Sequence, residues 1–278
     1  MGLFDWLINK KIETKKEISI QQSANFSQFK QVTDYIYEKS GIIDLDTRAL
    51  TASRLQNYAK EKGVYTTKSF LEMMQKSEEF YQEVMNIATI NESFFLREKK
   101  ELEWLSSFIK KSNRNLDILV LPCSTGEEVY SILLLLLEEG VSLEKINIDG
   151  CDLNSQAIKS AQNGEYDEHS LHNVNESIRR KYFTKNEKNL YDITPLLSSK
   201  PNFYQENIFE INTTLKQYDI VLSRNMFIYF DDENRERALN IIVALLKPEG
   251  IYIKGHADHV KKHEKLVNLE YGIFSKQI

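Results

Sequence analysis

The spacing of apolar residues divides the chain into a helical half and a half in which helices and strands alternate. Between residues 26 and 90, apolar side chains recur three and four positions apart, which predicts several amphipathic helices. Gly41 and Gly63 mark breaks between these helices. From about Glu101, short apolar runs alternate with helical patterns. This alternation predicts a mostly parallel β-sheet with helices against its faces.

The same patterns assign the elements of the second half. We expect strands at 116–121, 146–152, 218–223 and 250–255, and helices at 102–109, 127–139, 155–163 and 233–246. Between Gly164 and Asn207 the pattern is irregular, with β-prone pieces at 181–184, 189–193 and 202–204. We interpret these pieces as a small sheet inserted between a helix and a strand. Insertions of this kind commonly contact substrates or partners.

Composition narrows the class of protein. The chain has 278 residues, 41% of them hydrophobic, which is enough for one large domain or two modest ones. Its net charge is −5 and it has no long run of like charges, so nucleic acid is not an expected partner. Two cysteines, Cys123 and Cys151, are too few for a disulfide-rich secreted protein and favour a reducing cytoplasm. The longest apolar run, 132–137, is too short to cross a bilayer, so we expect no stable membrane insertion.

The N-terminus is predicted to be an arm rather than part of a domain. Residues 1–11 contain an apolar stretch but no signal-peptide cleavage pattern. This stretch fits an amphipathic helix on a membrane or partner, and it also fits a segment that packs on the protein itself. The expected organisation is an arm (1–22), a helical domain (23–92) and an α/β domain (93–278) with an insertion at about 165–206.

One loop of the α/β half indicates a ligand. Residues 121–128 read Leu-Pro-Cys-Ser-Thr-Gly-Glu-Glu and join a predicted strand to a predicted helix, where open α/β sheets bind nucleotide-like cofactors. A pyrophosphate cradle needs several glycines and no acids, whereas this loop has only Gly126 and ends in Glu127 and Glu128. The acids favour a ligand with positive charge, such as S-adenosylmethionine. Their spacing from Ser124 and Thr125 also fits two helix-capping boxes, which is a structural alternative.

Polar residues also follow the other predicted strands. Asp152 ends the second strand, where an acid can accept hydrogen bonds from ribose hydroxyls. Asn207 and the run Ser223-Arg224-Asn225 follow later strands. Because the carboxyl ends of parallel strands lie at one edge of a sheet, a ligand at that edge would meet all of them. Asparagine and arginine are also ordinary loop residues, so their position alone leaves the choice open.

The junction between the two halves is a second candidate for ligand contact. Residues 91–98 read Asn-Glu-Ser-Phe-Phe-Leu-Arg-Glu. Aromatic side chains beside Arg97 suit a lid over a planar base, with the guanidinium directed at an anion. The structural alternative is a domain junction with a surface salt bridge.

Three histidines near the C-terminus have a spacing that occurs in metal sites. They are His256, His259 and His263. The segment is short, is basic at Lys261 and Lys262, and offers no clear fourth ligand. We therefore expect no metal site.

Taken together, these residues resemble the chemotaxis-receptor glutamate methyltransferase family, usually called CheR. The resemblance extends over about residues 26–258. Its most specific pieces, in chain order, are Asn91-Glu92-Ser93 with Phe95 and Arg97, Ser124-Thr125-Gly126-Glu127-Glu128 with Tyr130-Ser131, Gly164-Glu165-Tyr166, Arg224-Asn225 with Ile228-Tyr229-Phe230, and Leu246-Lys247-Pro248 with Gly250 and Gly255-His256.

The resemblance implies a fold, a cofactor and roles for individual residues. The implied fold is an S-adenosylmethionine-dependent methyltransferase (Rossmann-like) α/β domain with an N-terminal helical domain and a small inserted β-subdomain. Glu128 would meet the ammonium group of S-adenosylmethionine and Asp152 its ribose, while Arg97 and Tyr229 match positions implicated in catalysis. The other implied cofactor contacts are Asn91, Ser93, Arg97, Ser124, Gly126, Asn207, Ile208, Ser223, Arg224 and Asn225.

The resemblance also implies an activity and a partner. Such enzymes transfer a methyl group to glutamate side chains of methyl-accepting chemotaxis receptors and release S-adenosylhomocysteine. The implied partner is the cytoplasmic domain of these receptors. The resemblance further implies that this chain is a cytoplasmic monomer that is recruited to receptor arrays. Two alternatives are a methyltransferase with another substrate and a signalling module that binds the cofactor without catalysis.

The chain departs from the family pattern in three places. Leu96 stands where a second phenylalanine is common, and Ala257-Asp258 replaces the usual Ser-Glu. The helix expected to dock on the receptor is typically more basic. Here its basic residues are Arg48, Arg54, Lys60 and Lys62, and Asn57, Tyr58 and Glu61 interrupt them. Of these, Arg48 and Arg54 are the predicted docking residues.

Overall fold

A computed structural model describes residues 30–45 and 48–277. The arm predicted at 1–22 and the first residues of the predicted helical domain lie outside the described residues. The chain forms two compact units, one that ends at Ala88 and one that begins at Thr89.

The first unit is helical throughout its described residues. Its helices are α1 (Lys30–Ser40), α2 (Ala49–Glu61), α3 (Thr67–Lys76) and α4 (Glu78–Ala88). Gly41 and Gly63, both with φ of 71°, lie beyond the ends of α1 and α2, where the sequence predicts breaks. The apolar faces of the four helices supply a core of Val32, Ile36, Leu55, Phe70, Phe80 and Val84.

The second unit contains the remaining elements. Its helices are α5 (Lys99–Lys110), α6 (Glu127–Glu138), α7 (Ser155–Asn163), α8 (Glu176–Tyr182), α9 (Pro195–Ser198) and α10 (Asp232–Leu245). Its strands are β1 (Leu116–Val120), β2 (Ile146–Asp152), β3 (Glu165–Tyr166), β4 (Phe183–Lys185), β5 (Tyr191–Ile193), β6 (Asn202–Gln205), β7 (Tyr218–Ser223), β8 (Leu246–Lys254), β9 (Leu266–Glu270) and β10 (Ile273–Lys276). Short 3₁₀ helices occupy Leu143–Lys145, Ile208–Glu210 and Phe227–Tyr229.

Seven of these strands form one sheet in the order β6-β2-β1-β7-β8-β10-β9. Pairing is parallel from β6 to β8, and β10 runs antiparallel to both of its neighbours. The strand order reverses at β1, because the chain first adds β2 on one side and later β7 on the other. Open α/β sheets bind ligands at such a reversal, outside the carboxyl ends of the strands. The sequence prediction of an α/β fold with a mostly parallel sheet is confirmed.

The most apolar helix, α6, lies in the core of the second unit. All its residues from Val129 to Leu136 are buried, since the helix is hydrophobic around most of its circumference. Across the ranges that the structure describes, neither α6 nor any other helix is long and apolar enough to span a bilayer.

Three strands, β3, β5 and β4, form a separate antiparallel sheet. Together with α8 they make up what we call the inserted region, residues 165–193. The prediction that the piece at 202–204 belongs to this small sheet is wrong. That piece is β6, which pairs in parallel with β2 and places Phe203 opposite Gly150. The Phe203 ring occupies the space that a side chain on Gly150 would fill, 2.5 Å from its Cβ position, so this pairing requires glycine at position 150.

Other boundaries also differ from the predictions. Lys181 and Tyr182 end α8 instead of starting a strand. Asn175 caps the start of this helix by accepting a hydrogen bond from the Ile178 N–H at 3.0 Å. Strand β8 begins at Leu246, directly after α10, rather than at Gly250. Strands β9 and β10, which are joined by a short turn, have no counterpart among the predicted elements.

Candidate active site

A tight loop after β1 lines the candidate site. Its residues Ser124 and Gly126 have positive φ angles of 50° and 91°. A Cβ atom on Gly126 would lie 2.9 Å from the Cβ of Ala161 and 3.2 Å from the rings of Tyr130 and Phe203. Glycine is therefore required here for both its backbone conformation and its size. The loop leads directly into α6, with Gly126 as the N-cap.

The helix-capping alternative for this loop is wrong. The N-cap Gly126 provides no side-chain hydrogen bond. The Thr125 hydroxyl donates to Oε2 of Glu127 at 2.6 Å, and Oε2 of Glu128 lies 2.9 Å from Nη1 of Arg224. Glu127 also accepts from the distant Ser170 hydroxyl at 3.4 Å, so neither glutamate closes a capping box.

Asp152, at the end of β2, holds the loop in place. Its side chain is buried, Oδ2 accepts from the Ser124 N–H at 2.8 Å, and Oδ1 accepts from the Asn154 N–H at 2.8 Å. Burial raises the pKa of Asp152 to about 6, although these backbone hydrogen bonds favour the charged form. Each carboxylate oxygen has a second lone pair, so the group can still accept hydrogen bonds from a ligand's hydroxyls.

Arg224, directly after β7, forms the centre of a buried ion-pair cluster. Its guanidinium lies 2.9 Å from Glu128 and 3.1 Å from Glu98, with only 1% of the side chain exposed. It also donates to the Arg97 carbonyl at 2.6 Å. Burial opposes the charge on Arg224, but the two carboxylates outweigh it and raise its pKa. Burial likewise raises the pKa of Glu128, against the attraction of Arg224.

Oε1 of Glu128 and Oγ of Ser124 are among the buried polar atoms beside this cluster that lack a hydrogen-bond partner in the described ranges. An unpaired buried polar atom costs about 1–3 kcal/mol, so such atoms are rare in folded proteins. A ligand with an ammonium group and adjacent polar atoms would pair both. The residues present therefore fit the cationic cofactor that the sequence predicts.

Arg97 lies in a segment with unusual backbone geometry. Its neighbours Leu96 and Glu98 have φ angles of 58° and 47°. The Arg97 guanidinium donates to the Glu92 carbonyl at 3.0 Å and lies over the Phe94 ring, 5.6 Å from its centroid. The side chain is partly exposed, so it remains accessible to a second substrate.

Tyr229 lies in the 3₁₀ helix that follows β7. This segment is held by Asp258, which was not among the predicted site residues. The carboxylate of Asp258 accepts from the N–H groups of Asn225 at 2.6 Å, Phe227 at 2.9 Å and Gly255 at 3.1 Å. It thereby ties the Arg224–Tyr229 segment to the loop after β8. Burial raises the pKa of Asp258, in opposition to these three hydrogen bonds. The available signal was the departure from the family pattern at Ala257-Asp258.

The other predicted cofactor contacts are distributed along the same edge and the adjoining segment. Asn207 follows β6 and accepts from the Phe209 N–H at 3.1 Å, and Ile208 is buried beside it. Ser223 ends β7 and is buried, whereas Asn91 and Ser93 precede α5 and are partly exposed. Ser93 hydrogen-bonds Glu127 through its side chain. The predicted docking residues, Arg48 and Arg54, belong to the first unit, where Arg54 is exposed on α2 and Arg48 directly precedes it.

A group of metal-ligand type lies beside the ion-pair cluster. Glu98, Glu101 and His256 offer ligand atoms within 4.8 Å of one another. However, Oε2 of Glu98 accepts from Arg224 and from the His256 N–H, and Nε2 of His256 lies 2.5 Å from Oε1 of Glu101. These contacts join the group to the ion-pair cluster around Arg224. His263 instead contacts Asn240, at 3.1 Å.

Comparison with known proteins agrees with this arrangement. The family model described as "CheR methyltransferase, SAM binding domain" matches residues 91–272. A chemotaxis protein methyltransferase of Campylobacter jejuni is 32% identical over 224 residues, which cover 80% of this chain and 85% of that protein. Chemotaxis protein methyltransferase 2 of Vibrio cholerae is 29% identical over 261 residues, which cover 88% of this chain and 89% of that protein.

These findings confirm three predictions made from the sequence: the family, the S-adenosylmethionine-dependent methyltransferase fold and the cofactor. Buried acids at a sheet reversal, a family match over most of the chain and a similar relative lead to one conclusion. The chain belongs to the CheR methyltransferase family, and it has the fold of an S-adenosylmethionine-dependent methyltransferase.

Proposed function

We propose that this protein methylates glutamate side chains of chemotaxis receptors and produces glutamyl methyl esters. The names of the relatives support this substrate class. The structural observation that carries the proposal is the buried Arg224–Glu128 ion pair, which leaves Oε1 of Glu128 without a partner and able to pair with a cation.

In the proposed reaction the cofactor supplies an electrophilic methyl group on a sulfonium. A glutamate carboxylate, with a pKa of about 4.3, is already ionised at neutral pH and needs no general base to act as the nucleophile. The protein must therefore align two reactants and exclude water. Such alignment can contribute up to roughly 7–11 kcal/mol to lowering a barrier.

The chain's own residues divide this task. Glu128, fixed by Arg224, holds the cofactor's ammonium group, and Asp152 accepts from the ribose hydroxyls. Ser124 and Gly126 shape the loop that contacts the cofactor. The remaining proposed contacts, which follow from the family pattern, are Asn91, Ser93, Asn207, Ile208, Ser223 and Asn225.

Arg97 and Tyr229 are the proposed catalytic residues. Arg97 orients the substrate carboxylate or closes over the cofactor, and Tyr229 donates one positioning hydrogen bond. A firm ion pair to Arg97 would lower the nucleophilicity of the carboxylate, so orientation is the better-supported role. The partly exposed guanidinium over Phe94 is compatible with it.

The proposed partner is the cytoplasmic domain of methyl-accepting chemotaxis receptors. The exposed Arg54 and the neighbouring Arg48 supply positive charge for docking on acidic receptor helices. We further propose that the protein acts as a monomer in the cytoplasm, at receptor arrays.

The test is incubation with labelled S-adenosylmethionine and receptor cytoplasmic fragments, followed by mass spectrometry of the modified residues. A gain of one methyl group on glutamate, absent with Glu128→Gln, is the expected result. Methylation of a different residue type would reassign the substrate. No methyl transfer to any fragment, together with normal S-adenosylhomocysteine binding, would instead indicate a non-catalytic signalling module.

A further inference from the structure

Glu127 is a buried acid beside the cofactor loop that has no role in the proposed reaction. Glu127 is only 2% exposed. Its neighbour Glu128 already provides the negative charge for the cofactor in the proposed function. Burial raises the pKa of Glu127, and side-chain hydrogen bonds from Thr125, Ser93 and Ser170 oppose this effect. A carboxylate is retained in such a place only when several donors pair with it. The identity of these donors indicates what Glu127 does.

The three donors come from three separate segments of the second unit. Thr125 belongs to the cofactor loop and donates to Oε2 at 2.6 Å. Ser170 belongs to the inserted region, between β3 and α8, and donates to Oε1 at 3.4 Å. Ser93 belongs to the segment that leads to Arg97. One carboxylate therefore joins the cofactor loop, the inserted region and the Arg97 segment.

Further hydrogen bonds, each with at least one backbone group, link the same three segments. The Phe95 N–H donates to the Ser170 carbonyl at 2.9 Å, and the Tyr166 hydroxyl donates to the Thr125 carbonyl at 2.9 Å. The Leu96 N–H donates to the Ser131 hydroxyl at 2.9 Å, and that hydroxyl donates to the Glu127 carbonyl at 2.6 Å. The segments are thus packed so that a shift in one displaces the others.

We propose that Glu127 is a positioning residue that couples the inserted region and the Arg97 segment to the cofactor loop. Cofactor binding orders the loop and, through Glu127, the inserted region and Arg97. Because coupling between sites is reciprocal, a partner that orders the inserted region tightens cofactor binding by the same factor. This inference rests on the proposed function only in its use of the cofactor loop, so it does not depend on the identity of the methylated substrate.

The test compares two carboxylates of α6. Glu127→Gln removes the charge and one strong acceptor at nearly constant size. Glu138→Gln is the matched control, since Glu138 also joins α6 to the inserted region, through Lys181 and Tyr182, each at 2.7 Å, but lies at the far end of the helix from the cofactor loop. Ser170→Ala is a milder second variant that removes a single hydroxyl from Glu127.

Two measurements are made on each full-length variant: S-adenosylhomocysteine affinity by calorimetry and hydrogen exchange with and without saturating S-adenosylhomocysteine. In the wild-type protein and in Glu138→Gln, the ligand should slow exchange at the amides of Phe95, Leu96 and the residues around Ser170. In Glu127→Gln the affinity should fall at least tenfold, and at saturation the amides of the inserted region should stay unprotected. Ser170→Ala should show the same loss of protection with a smaller loss of affinity.

A residue with a merely structural role would give a different pattern. Glu127→Gln would then lower the melting temperature, but saturating ligand would still protect the inserted region, and that result would overturn the proposal. Both measurements use S-adenosylhomocysteine without receptor. A failure of receptor methylation with intact coupling would therefore refute the proposed function and leave this inference standing.

Discussion

At the scale of single residues, the site consists of charged groups held away from water. Asp152, Glu127 and Arg224 are each less than 5% exposed. Burying a charge is expensive, and the cost is recovered only when hydrogen bonds and opposite charges surround it. Each of these groups has such partners, and Glu128 keeps one buried oxygen without a partner. The arrangement is preorganised for a cation, since the negative groups are already fixed before a ligand arrives.

The raised pKa of Asp152 predicts a pH dependence for cofactor binding. Burial raises this pKa to about 6, compared with about 3.9 for an exposed aspartate. The folded protein therefore binds the Asp152 proton more tightly than the unfolded chain does. The contribution of this proton to the free energy of unfolding is complete below about pH 4 and is lost as the pH rises through about 6. Ribose hydroxyls, in contrast, donate best to the ionised carboxylate. Cofactor affinity should therefore increase with pH across the same range.

Calorimetry with S-adenosylhomocysteine checks this sign. Affinity should be about tenfold lower one pH unit below the pKa, where only about a tenth of the carboxylates are ionised. Asp152→Asn should bind weakly at every pH, with no titration near pH 6. A wild-type affinity that is constant between about pH 5 and 8 would exclude Asp152 as the ribose acceptor.

The conformation of Gly126 predicts a second effect at the residue scale. An alanine at φ 91° would be strained, and its Cβ would lie 2.9 Å from that of Ala161. Gly140 is the matched control, because it has φ of 74° and no atom within 4 Å of its Cβ position. Gly140→Ala should cost only the left-handed strain of about 1–2 kcal/mol. Gly126→Ala should cost more in urea unfolding and should weaken S-adenosylhomocysteine binding, and equal costs would contradict the steric argument.

Removal of the Tyr229 hydroxyl should affect the rate of methyl transfer and leave cofactor binding unchanged. Tyr229→Phe keeps the ring and removes one hydroxyl, so S-adenosylhomocysteine affinity should not change. Methyl transfer should slow about tenfold, because one net hydrogen bond is worth about 1–1.5 kcal/mol. Tyr271→Phe, at an exposed turn between β9 and β10, is the control. Equal turnover in both variants would remove Tyr229 from the mechanism.

At the scale of elements, the site depends on loops that tertiary contacts hold at the ends of β1, β2 and β7. Four of the non-glycine residues with positive φ, Ser124, Asn225, Leu96 and Glu98, lie in these loops or in the segment before α5. Such conformations cost about 1–3 kcal/mol each and persist only where the surroundings impose them. Asp258 is one of the groups that impose them, since it fixes Asn225 and Phe227 together.

Substitution of Asp258 should therefore disturb the whole segment from Arg224 to Tyr229. Asp258→Asn keeps one good acceptor for three N–H donors, so at least one buried donor is left poorly paired, at a cost of about 1–3 kcal/mol. Transfer rate should fall more than S-adenosylhomocysteine affinity, because the segment carries Tyr229. Asp232→Asn, whose side chain is 71% exposed, should leave both unchanged. If Asp258→Asn and Asp232→Asn had the same transfer rate and the same affinity, Asp258 would not hold the segment that carries Tyr229.

The sequence predicts those elements whose signals are local. The boundaries of β2, α7 and β7 agree with the prediction residue for residue, because apolar periodicity defines them and Asn154 caps α7. The features it does not predict depend on contacts that are distant in sequence. Strand β6 joins the large sheet because Phe203 fits over Gly150, and the joint pairing of Arg224 with Glu98 and Glu128 brings three separated segments together. Neither contact leaves a periodic signature in the chain.

At the scale of the whole molecule, a net charge of −5 conflicts with docking on an acidic partner unless positive charge is concentrated locally. Long-range repulsion between two acidic proteins slows their encounter, and a local basic surface offsets it. In the first unit, α2 supplies such charge through the exposed Arg54. The cofactor contacts proposed above all lie in the second unit. Docking charge and cofactor binding should therefore respond to different substitutions.

Charge reversal at Arg54 tests this separation. Arg54→Glu should lower kcat/KM for receptor methylation several-fold at low ionic strength, and the difference from wild type should shrink as salt rises, because exposed charges are screened over about 8–10 Å near physiological salt. S-adenosylhomocysteine affinity should stay the same. Lys68→Glu makes the same change of charge on α3, where the side chain is also exposed. If both reversals slow methylation equally, overall charge rather than a docking surface on α2 governs the encounter, and the assignment of Arg54 fails.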